Sequence, residues 1–296
     1  MASVSSNQPD QADPIASQTA AGRPDWLAAC RRMVASQREL FAEQRGIAAR
    51  TVYAGVGEGG DHTLAIDRQC EDIVFAELDA IHDEGHAFTA ISEERGEVPF
   101  GEAPPDVLVV VDPLDGSLNA RRMIPSHSLS VAVATGPTMA HVEWGYVYDF
   151  GSSEEYVAER GSGSRLNGRE LRAEGPGFGL EVVGLESAKP ERTVPVLAAL
   201  EGKAYRMRVV GSIAISLCYV AGGRFDGMLT SRACRSVDAA AAQLIASEAG
   251  AEVAFGGAGL DVSLDLDARY HVAAALDREL LATVLEAQEH AEKPRS

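Results

Sequence analysis

The sequence predicts a protein of mixed α and β structure, in the α+β class. Apolar residues recur at three- and four-residue spacing from Trp26 to Phe41, which is typical of a helix with one buried face. The same spacing returns from Ile66 to Ile81. Residues 107–111 (Val-Leu-Val-Val-Val) form instead a short continuous apolar run, as expected of a strand that is buried on both faces.

Length and composition favour a soluble globular protein. The chain has 296 residues, 46% of them hydrophobic, which suffices for one large domain or two small ones. No apolar run approaches the ~20 residues of a membrane span, and the N-terminus lacks a basic-then-apolar signal pattern. The four cysteines are widely scattered, so we expect reduced thiols and neither a zinc site nor a disulfide framework. We therefore expect a cytoplasmic protein without a membrane partner.

The charge argues against a nucleic-acid partner. The net charge is −18, and like charges repel a phosphate backbone. Residues 61–106 concentrate 13 acidic residues against 2 arginines. We expect most of these acids to lie on a solvated surface, but such a concentration would also attract Mg²⁺.

The chain divides into one domain and two tails. Residues 1–22 are polar, small and without periodicity, which predicts a disordered N-terminal tail. Residues 23–290 are expected to form a single domain of two closely packed α/β halves, split near residue 180. Residues 291–296 are expected to be a short C-terminal tail.

The first helix is expected to start at Pro24 and to end near Gly46. Residues 55–60 then match Gly-x-Gly-x-x-Gly, the dinucleotide fingerprint. We reject that interpretation because only a short strand-like piece precedes the glycines and because Glu58 would repel a pyrophosphate. A glycine-rich loop is the better interpretation.

The remaining elements follow from alternation, spacing and turn residues. Strands are expected at 88–92, 128–134, 141–150, 181–185, 205–210 and 226–230, and helices at 191–200 and 211–222, with a final strand and helix within 271–289. Asn167-Gly168 is a strong signal for a tight type I′ hairpin turn. An alanine-rich helix is expected from Ser236, its N-cap, to Gly250, its stop.

Directly after the buried strand comes Asp112–Ser117 (Asp-Pro-Leu-Asp-Gly-Ser). Pro113 restricts the backbone, so a tight turn can aim both carboxylates at one point. Gly116 lets the backbone approach a ligand, and Ser117 can open a helix with free N–H groups. Carboxylates beside free amides suit divalent cations and a phosphate. The alternative is an ordinary Asp-Pro-rich surface turn.

This hexapeptide resembles the Asp-Pro-Ile/Leu-Asp-Gly-Thr/Ser signature of the inositol monophosphatase family, which are magnesium-dependent, lithium-sensitive phosphatases related to fructose-1,6-bisphosphatase. Residues 237–250 resemble the second signature, Trp-Asp-x-Ala-Ala-x-x-x-Leu-Ile-x-x-Glu-Ala-Gly, with Val237 in place of the usual Trp. The two signatures occur in family order, and the resemblance covers about residues 50–290. It implies a layered α/β/α/β/α sandwich, the inositol monophosphatase / fructose-1,6-bisphosphatase-like fold.

The resemblance also implies two or three Mg²⁺ ions and the residues that hold them. The metal ligands that it assigns are Glu93, Asp112, the backbone carbonyl of Leu114, Asp115 and Asp238. Asp67 ends a stretch similar to the family's Asp-x-x-Thr-x-x-Asp, whose final Asp supports a second or third ion; compensation of a helix dipole would also explain it.

The same resemblance implies the chemistry, which is hydrolysis of a phosphomonoester by water. Two Mg²⁺ ions roughly 3.5–4 Å apart would activate the water and stabilise the leaving oxygen. Glu93 and Ser117 would orient and deprotonate the water, with Asp67 as a further catalytic candidate. The amides of Gly116 and Ser117 would bind the phosphate, beside Asp115 and Asp238. No phosphoenzyme is expected.

The substrate is less well defined by the sequence. Inositol-type members often place a Glu seven residues before the second-signature Asp, where this chain has Ser231. Arg232 and Arg235 lie nearby and could meet a second phosphate, or could form surface ion pairs. We expect a small sugar or inositol phosphate of the inositol 1-phosphate type. Fructose-1,6-bisphosphatase, 3′(2′),5′-bisphosphate nucleotidase and a non-catalytic regulatory relative stay open, and the family implies a homodimer.

Overall fold

The computed structural model describes residues 22–56, 62–102, 107–256 and 258–291, with the backbone alone for 53–56 and 62–64. Three predictions therefore fall partly outside the described residues. These concern the N-terminal tail at 1–21, the glycine-rich loop at 57–61 and the C-terminal tail at 292–296.

Both helices and strands are numerous in the described residues. The helices are α1 Trp26–Glu43, α2 Ile47–Arg50, α3 Ala65–Asp83, α4 Ser117–Arg122, α5 Pro190–Ala199, α6 Ile213–Ala221, α7 Ala240–Glu248 and α8 Arg278–Gln288. The strands of the N-terminal part are β1 Tyr53–Val56, β2 His62–Leu64, β3 Phe88–Ser92, β4 Gly96–Phe100, β5 Leu108–Asp115, β6 Ser128–Ala134, β7 Val142–Asp149, β8 Glu154–Glu159, β9 Gly163–Leu166 and β10 Arg169–Leu171. Those of the C-terminal part are β11 Leu180–Glu186, β12 Ala204–Arg208, β13 Gly227–Thr230, β14 Glu252–Phe255 and β15 Val272–Ala275.

The larger sheet has eight strands in the order β10-β9-β8-β7-β6-β5-β3-β4. Its pairings are antiparallel except between β3 and β5, which run parallel. The valine-rich strand β5 lies inside this sheet and is buried along nearly its whole length, as predicted. Its C-terminal end therefore brings Asp112 and Asp115 out of the sheet interior at a fixed place.

The smaller sheet has five strands in the order β12-β11-β13-β15-β14. Strand β11 runs parallel to both β12 and β13, whereas β15 is antiparallel to β13 and β14. A separate antiparallel pair is formed by β1 and β2.

Three apolar cores set the order of the layers. Helices α1 and α3 pack against one face of the larger sheet. Helices α6 and α7 fill the space between the two sheets, and α5 and α8 cover the outer face of the smaller sheet. The order is therefore helices, sheet, helices, sheet, helices, which confirms the predicted layered sandwich.

Local signals in the sequence were correct at one turn and wrong at one helix start. Asn167 and Gly168 have φ of 50° and 76°, as the predicted hairpin turn between β9 and β10 requires.

The prediction of Ser236 as an N-cap is wrong, because α7 begins at Ala240 with Ala239 as its cap. Residues 236–239 form turns instead, in which the Ser236 carbonyl accepts from the amide of Ala240.

Among the described residues, no helix combines the length and the apolar character that crossing a membrane requires.

Candidate active site

A β-bulge brings the two aspartates of the first motif to one face of the larger sheet. Side chains three positions apart on a regular strand point to opposite faces. Here Asp112 pairs with Ser130 and Asp115 with Ser128, so three steps along β5 match two steps along β6. The extra residue turns Asp115 to the same side as Asp112. The motif thus directs both carboxylates toward the helices between the sheets.

A glutamine from α1 stabilises the bulge. The side-chain amide of Gln37 is fully buried and donates to the carbonyl of Pro113 at 2.9 Å. On the next residue, the amide of Leu114 donates to Oδ1 of Asp112 at 2.9 Å. These two bonds fix the backbone of the bulge and one oxygen of the first aspartate.

The turn after Asp115 can be made only by glycine. Gly116 has φ of 84° and is the N-cap of α4. A Cβ atom on Gly116 would lie 2.8 Å from the carbonyl oxygen of Ser126 and 3.1 Å from that of Gly211. Ser117 follows, exposed, at the first position of α4, where backbone N–H groups have no partner within the helix.

Glu93 lies in the turn between β3 and β4, which is held by a buried carboxylate. Glu71 of α3 is 2% exposed and accepts a hydrogen bond from the Ser92 hydroxyl. Its other oxygen lies 3.7 Å from Nε of Arg95. The carboxylate of Glu71 therefore fixes both sides of the turn that presents Glu93.

Asp238 lies just before α7 and is linked to Glu93 through one arginine. Oδ2 of Asp238 accepts from the backbone amide of Arg235 at 2.8 Å. The Arg235 guanidinium forms an ion pair with the Glu93 carboxylate, across 142 residues of sequence. The second signature and the turn that carries Glu93 therefore meet in space.

Asp115 is held from the opposite side by the start of α6. Its Oδ2 accepts from the Ser212 hydroxyl at 2.5 Å and from the amide of Ala214 at 2.9 Å. Ser212 is also the N-cap of α6, since its hydroxyl oxygen accepts from the amide of Ile215.

The four acidic side chains form one electrostatic cluster. Burial raises the pKa of Asp112 well above its usual range, and the charges of Asp115, Asp238 and Glu93 raise it further. Burial raises the pKa of Asp238 to about 7, with contributions from Asp115 and Glu93. Burial also raises the pKa of Asp115 to about 6, although its bonds to Ser212 and Ala214 oppose the rise. Confined like charges of this kind are stabilised by a cation.

The donor chemistry of this cluster fits Mg²⁺. All four side chains offer carboxylate oxygens, the ligands that hard divalent cations prefer. Within the described part of the chain, however, no three His, Cys, Asp or Glu side chains are already arranged around one point as metal ligands. Ser212 and Ala214 hold one oxygen of Asp115, and Arg235 holds one oxygen of Glu93.

The other two candidates from the sequence are Asp67 and Arg232. Asp67 is partly buried in the first turn of α3. Burial raises the pKa of Cys70, one turn further along α3, and the charges of Asp67 and Asp112 raise it further. Arg232 is exposed, unlike Arg235.

Ser231, where inositol-type members often have a Glu, is fully buried. Its hydroxyl donates to the carbonyl of Ser187 at 2.8 Å and its amide donates to that of Glu186 at 2.9 Å. The side chain therefore stabilises the end of β11 and is turned away from solvent.

His127, ten residues after Ser117, is a packing residue. Its ring is 7% exposed, stacks on Phe150 and meets Phe41 edge-on. Burial lowers the pKa of His127, so the neutral ring is favoured.

Sequence reasoning missed three residues that fix the ligand candidates: Gln37, Glu71 and Ser212. Gln37 could have been found from the sequence, because it is a polar residue at the helical spacing of the apolar face, between Val34 and Leu40. Ser212 was expected only as the start of a helix. Nothing in the sequence connects it with Asp115.

Known proteins share this architecture along nearly the whole chain. The model of the inositol monophosphatase family matches residues 27–293. A fructose-1,6-bisphosphatase/inositol-1-monophosphatase of Methanothermobacter thermautotrophicus is 33% identical over 250 residues, which cover 79% of this chain and 86% of the relative. Another, of Thermococcus kodakarensis, is 34% identical over 235 residues, which cover 79% and 85%.

A solved structure agrees with these similarities. The crystal structure of an inositol monophosphatase–fructose 1,6-bisphosphatase superposes with a TM-score of 0.76 at 26% identity, covering 89% of this chain and 100% of the other. The fold and these relatives define a metal-dependent phosphomonoesterase. The chain belongs to the inositol monophosphatase family.

Proposed function

We propose that this protein hydrolyses small sugar or inositol phosphates with Mg²⁺ as its cofactor. One observation carries the proposal: Glu93, Asp112, Asp115 and Asp238 come from three separate segments, and burial together with the charges of the other members raises the pKa of Asp112 and Asp238. A buried cluster of carboxylates is unfavourable for folding without a cation, which suggests that binding is its purpose.

Each residue of the site has a proposed role that follows from its position. Bound Mg²⁺ would supply Lewis acidity and offset the charge of the phosphate. Glu93 is 32% exposed at the rim of the cluster, where it can accept a proton from water oriented by the Ser117 hydroxyl. The amides of Gly116 and Ser117, at the start of α4, are proposed to bind phosphate oxygens. Asp67 and the Leu114 carbonyl are proposed as supporting ligands.

Two observations favour a substrate with a second phosphate, such as fructose 1,6-bisphosphate. Ser231 is buried and supplies no carboxylate for sugar hydroxyls. Arg235, by contrast, brings a guanidinium to the cluster itself. The relatives described above bear both activities in their names. A 3′(2′),5′-bisphosphate nucleotide is the alternative bisphosphate.

Assembly, compartment and inhibition belong to the proposal as well. We propose a cytoplasmic homodimer that lithium inhibits, on the strength of the family resemblance. A non-catalytic relative is the weaker alternative, because all four carboxylates that the chemistry requires are present.

The proposal is tested by Asp112→Asn with Asp226→Asn as its control. Asp226 is also buried and also accepts a backbone amide, that of Val182 at 2.7 Å, but it lies just before β13 of the smaller sheet. We expect Asp112→Asn to abolish Mg²⁺-dependent phosphate release from fructose 1,6-bisphosphate and inositol 1-phosphate, and Asp226→Asn to retain it. Activity in Asp112→Asn equal to wild type would overturn the proposal.

A further inference from the structure

A buried glutamate outside the carboxylate cluster holds the segment that leads into α6. Glu186, the last residue of β11, is 1% exposed. Its Oε2 accepts from the amide of Gly211 at 2.8 Å. Its Oε1 accepts from the amide of Val210 at 3.1 Å and from the Ser216 hydroxyl at 2.6 Å. Both oxygens therefore hold one short piece of backbone.

That piece of backbone contacts the candidate site at two points. Ser212, adjacent to Gly211, donates to Asp115. The Val210 carbonyl accepts from Nδ2 of Asn119 in α4 at 2.8 Å. The segment from Val210 to Ser212 thus touches both the second aspartate of the motif and the helix that carries Ser117.

The fit around this segment leaves little room for adjustment. Gly211 has φ of 84°, and a Cβ atom there would lie 2.7 Å from Nδ2 of Asn119. Its carbonyl oxygen is in turn one of the atoms that exclude a side chain at Gly116. A small shift of residues 210–212 would therefore move both Asp115 and the turn at Gly116.

We propose that Glu186 is a positioning residue for the metal and phosphate site, acting through residues 210–212 on Asp115. The inference rests on the proposed function and adds to it a residue of the smaller sheet. A carboxylate suits this task because each oxygen can accept an amide hydrogen. Glutamine could accept on its carbonyl oxygen alone, and its NH₂ group would face a donor.

The test compares Glu186→Gln with Glu248→Gln in the full-length protein at pH 8. Glu248 is a matched control because its carboxylate also accepts two backbone amides, those of Gly161 and Gly163 at 2.9 and 3.0 Å. It lies at the end of α7, beside a hairpin of the larger sheet. Mg²⁺ affinity is measured by isothermal titration calorimetry without substrate, and Tm by scanning calorimetry.

We expect Glu186→Gln to weaken Mg²⁺ binding by about tenfold or more, as is typical when a partner of a metal ligand is lost. Glu248→Gln should lower Tm and leave Mg²⁺ affinity unchanged. If Glu186→Gln binds Mg²⁺ as tightly as wild type, the inference is wrong. If Glu186→Gln does not fold, Ser216→Ala is used instead, because it removes one of the three groups that donate to Glu186. This variant must also weaken Mg²⁺ binding. Wild-type Mg²⁺ affinity in Ser216→Ala would likewise overturn the inference.

Failure of the inference about Glu186 can be told apart from failure of the proposed function. If wild type releases no phosphate from any sugar phosphate, the proposed function fails, whereas Mg²⁺ affinities still report on Glu186. If wild type is active and Glu186→Gln is unchanged in both affinity and kcat, only the inference about Glu186 fails.

Discussion

Ser212 donates its hydroxyl hydrogen to Oδ2 of Asp115 at 2.5 Å, although 97 residues of chain separate them. Asp115 ends the interior strand β5 of the larger sheet, and Ser212 caps the helix α6 between the sheets. This hydrogen bond therefore joins the larger sheet to the start of α6 at a proposed metal ligand. The geometry of the site depends on how α6 packs against that sheet.

Replacing Ser212 with alanine should cost both stability and activity. The variant loses the bond to Asp115 and the cap of α6, which together are worth about 1–3 kcal/mol. Chemical denaturation measures the stability and a Mg²⁺ titration of phosphate release measures the site. Asp277→Ala, which removes the cap of α8, is the control. Equal activity in the two variants would contradict a role of Ser212 in holding Asp115.

Replacing Gly116 with alanine should abolish activity, because the new Cβ would collide with the carbonyl oxygens of Ser126 and Gly211. Gly161→Ala isolates the cost of the backbone conformation, since Gly161 has φ of 73° with open space around it. We expect about 1 kcal/mol of destabilisation in the control and more in Gly116→Ala. Phosphate release and chemical denaturation are measured for both variants. Activity in Gly116→Ala would contradict the prediction, because it would show that the turn can move to admit a side chain.

Replacing Arg235 with glutamine should impair the use of bisphosphates more than that of monophosphates. Loss of a charged contact to a second phosphate is worth about 1.5 kcal/mol or more, or roughly tenfold in KM. KM values for fructose 1,6-bisphosphate and inositol 1-phosphate measure the difference. Arg224→Gln, which breaks an arginine–glutamate pair with Glu154 elsewhere, should change neither value. An equal rise in KM for both substrates would contradict contact with a second phosphate and would leave Arg235 only its ion pair with Glu93.

His127 should make the protein less stable in mild acid. Burial lowers its pKa below the ordinary 6.5, so the unfolded chain binds a proton more readily than the folded one. The stability that the neutral ring contributes is complete above about pH 6.5 and is lost as the pH falls toward the folded-state value. Tm measured from pH 7.5 to 5.5 in EDTA should therefore fall more in wild type than in His127→Phe. An equal fall of Tm with pH in wild type and His127→Phe would contradict a contribution of His127 to the acid sensitivity.

The sequence allowed the fold to be predicted further than the site geometry. The valine run, the helical stripes and the two signatures located the main elements and the acidic residues. The convergence of Asp112 and Asp115, however, depends on a bulge that is defined by pairing with Ser128 and Ser130. Such pairing is a property of the assembled sheet.

Long-range partners were hidden for the same reason. Turn and cap patterns reach only a few residues, so they indicated a helix start near Ser212 without indicating its bond to Asp115. The same limit produced the wrong start of α7. There, Asp238 bonds back to the amide of Arg235, and local preference for Ser236 as a cap yields to that turn.

The location of Mn²⁺ in crystals, by anomalous diffraction, tests the central claim most directly, because Mn²⁺ takes the oxygen ligands of Mg²⁺. We expect a strong peak within metal–oxygen bonding distance of the carboxylates of Glu93, Asp112, Asp115 and Asp238, with Arg235 displaced from Glu93. A structure with Mn²⁺ bound elsewhere, or with these four carboxylates still held by their protein partners, would contradict it.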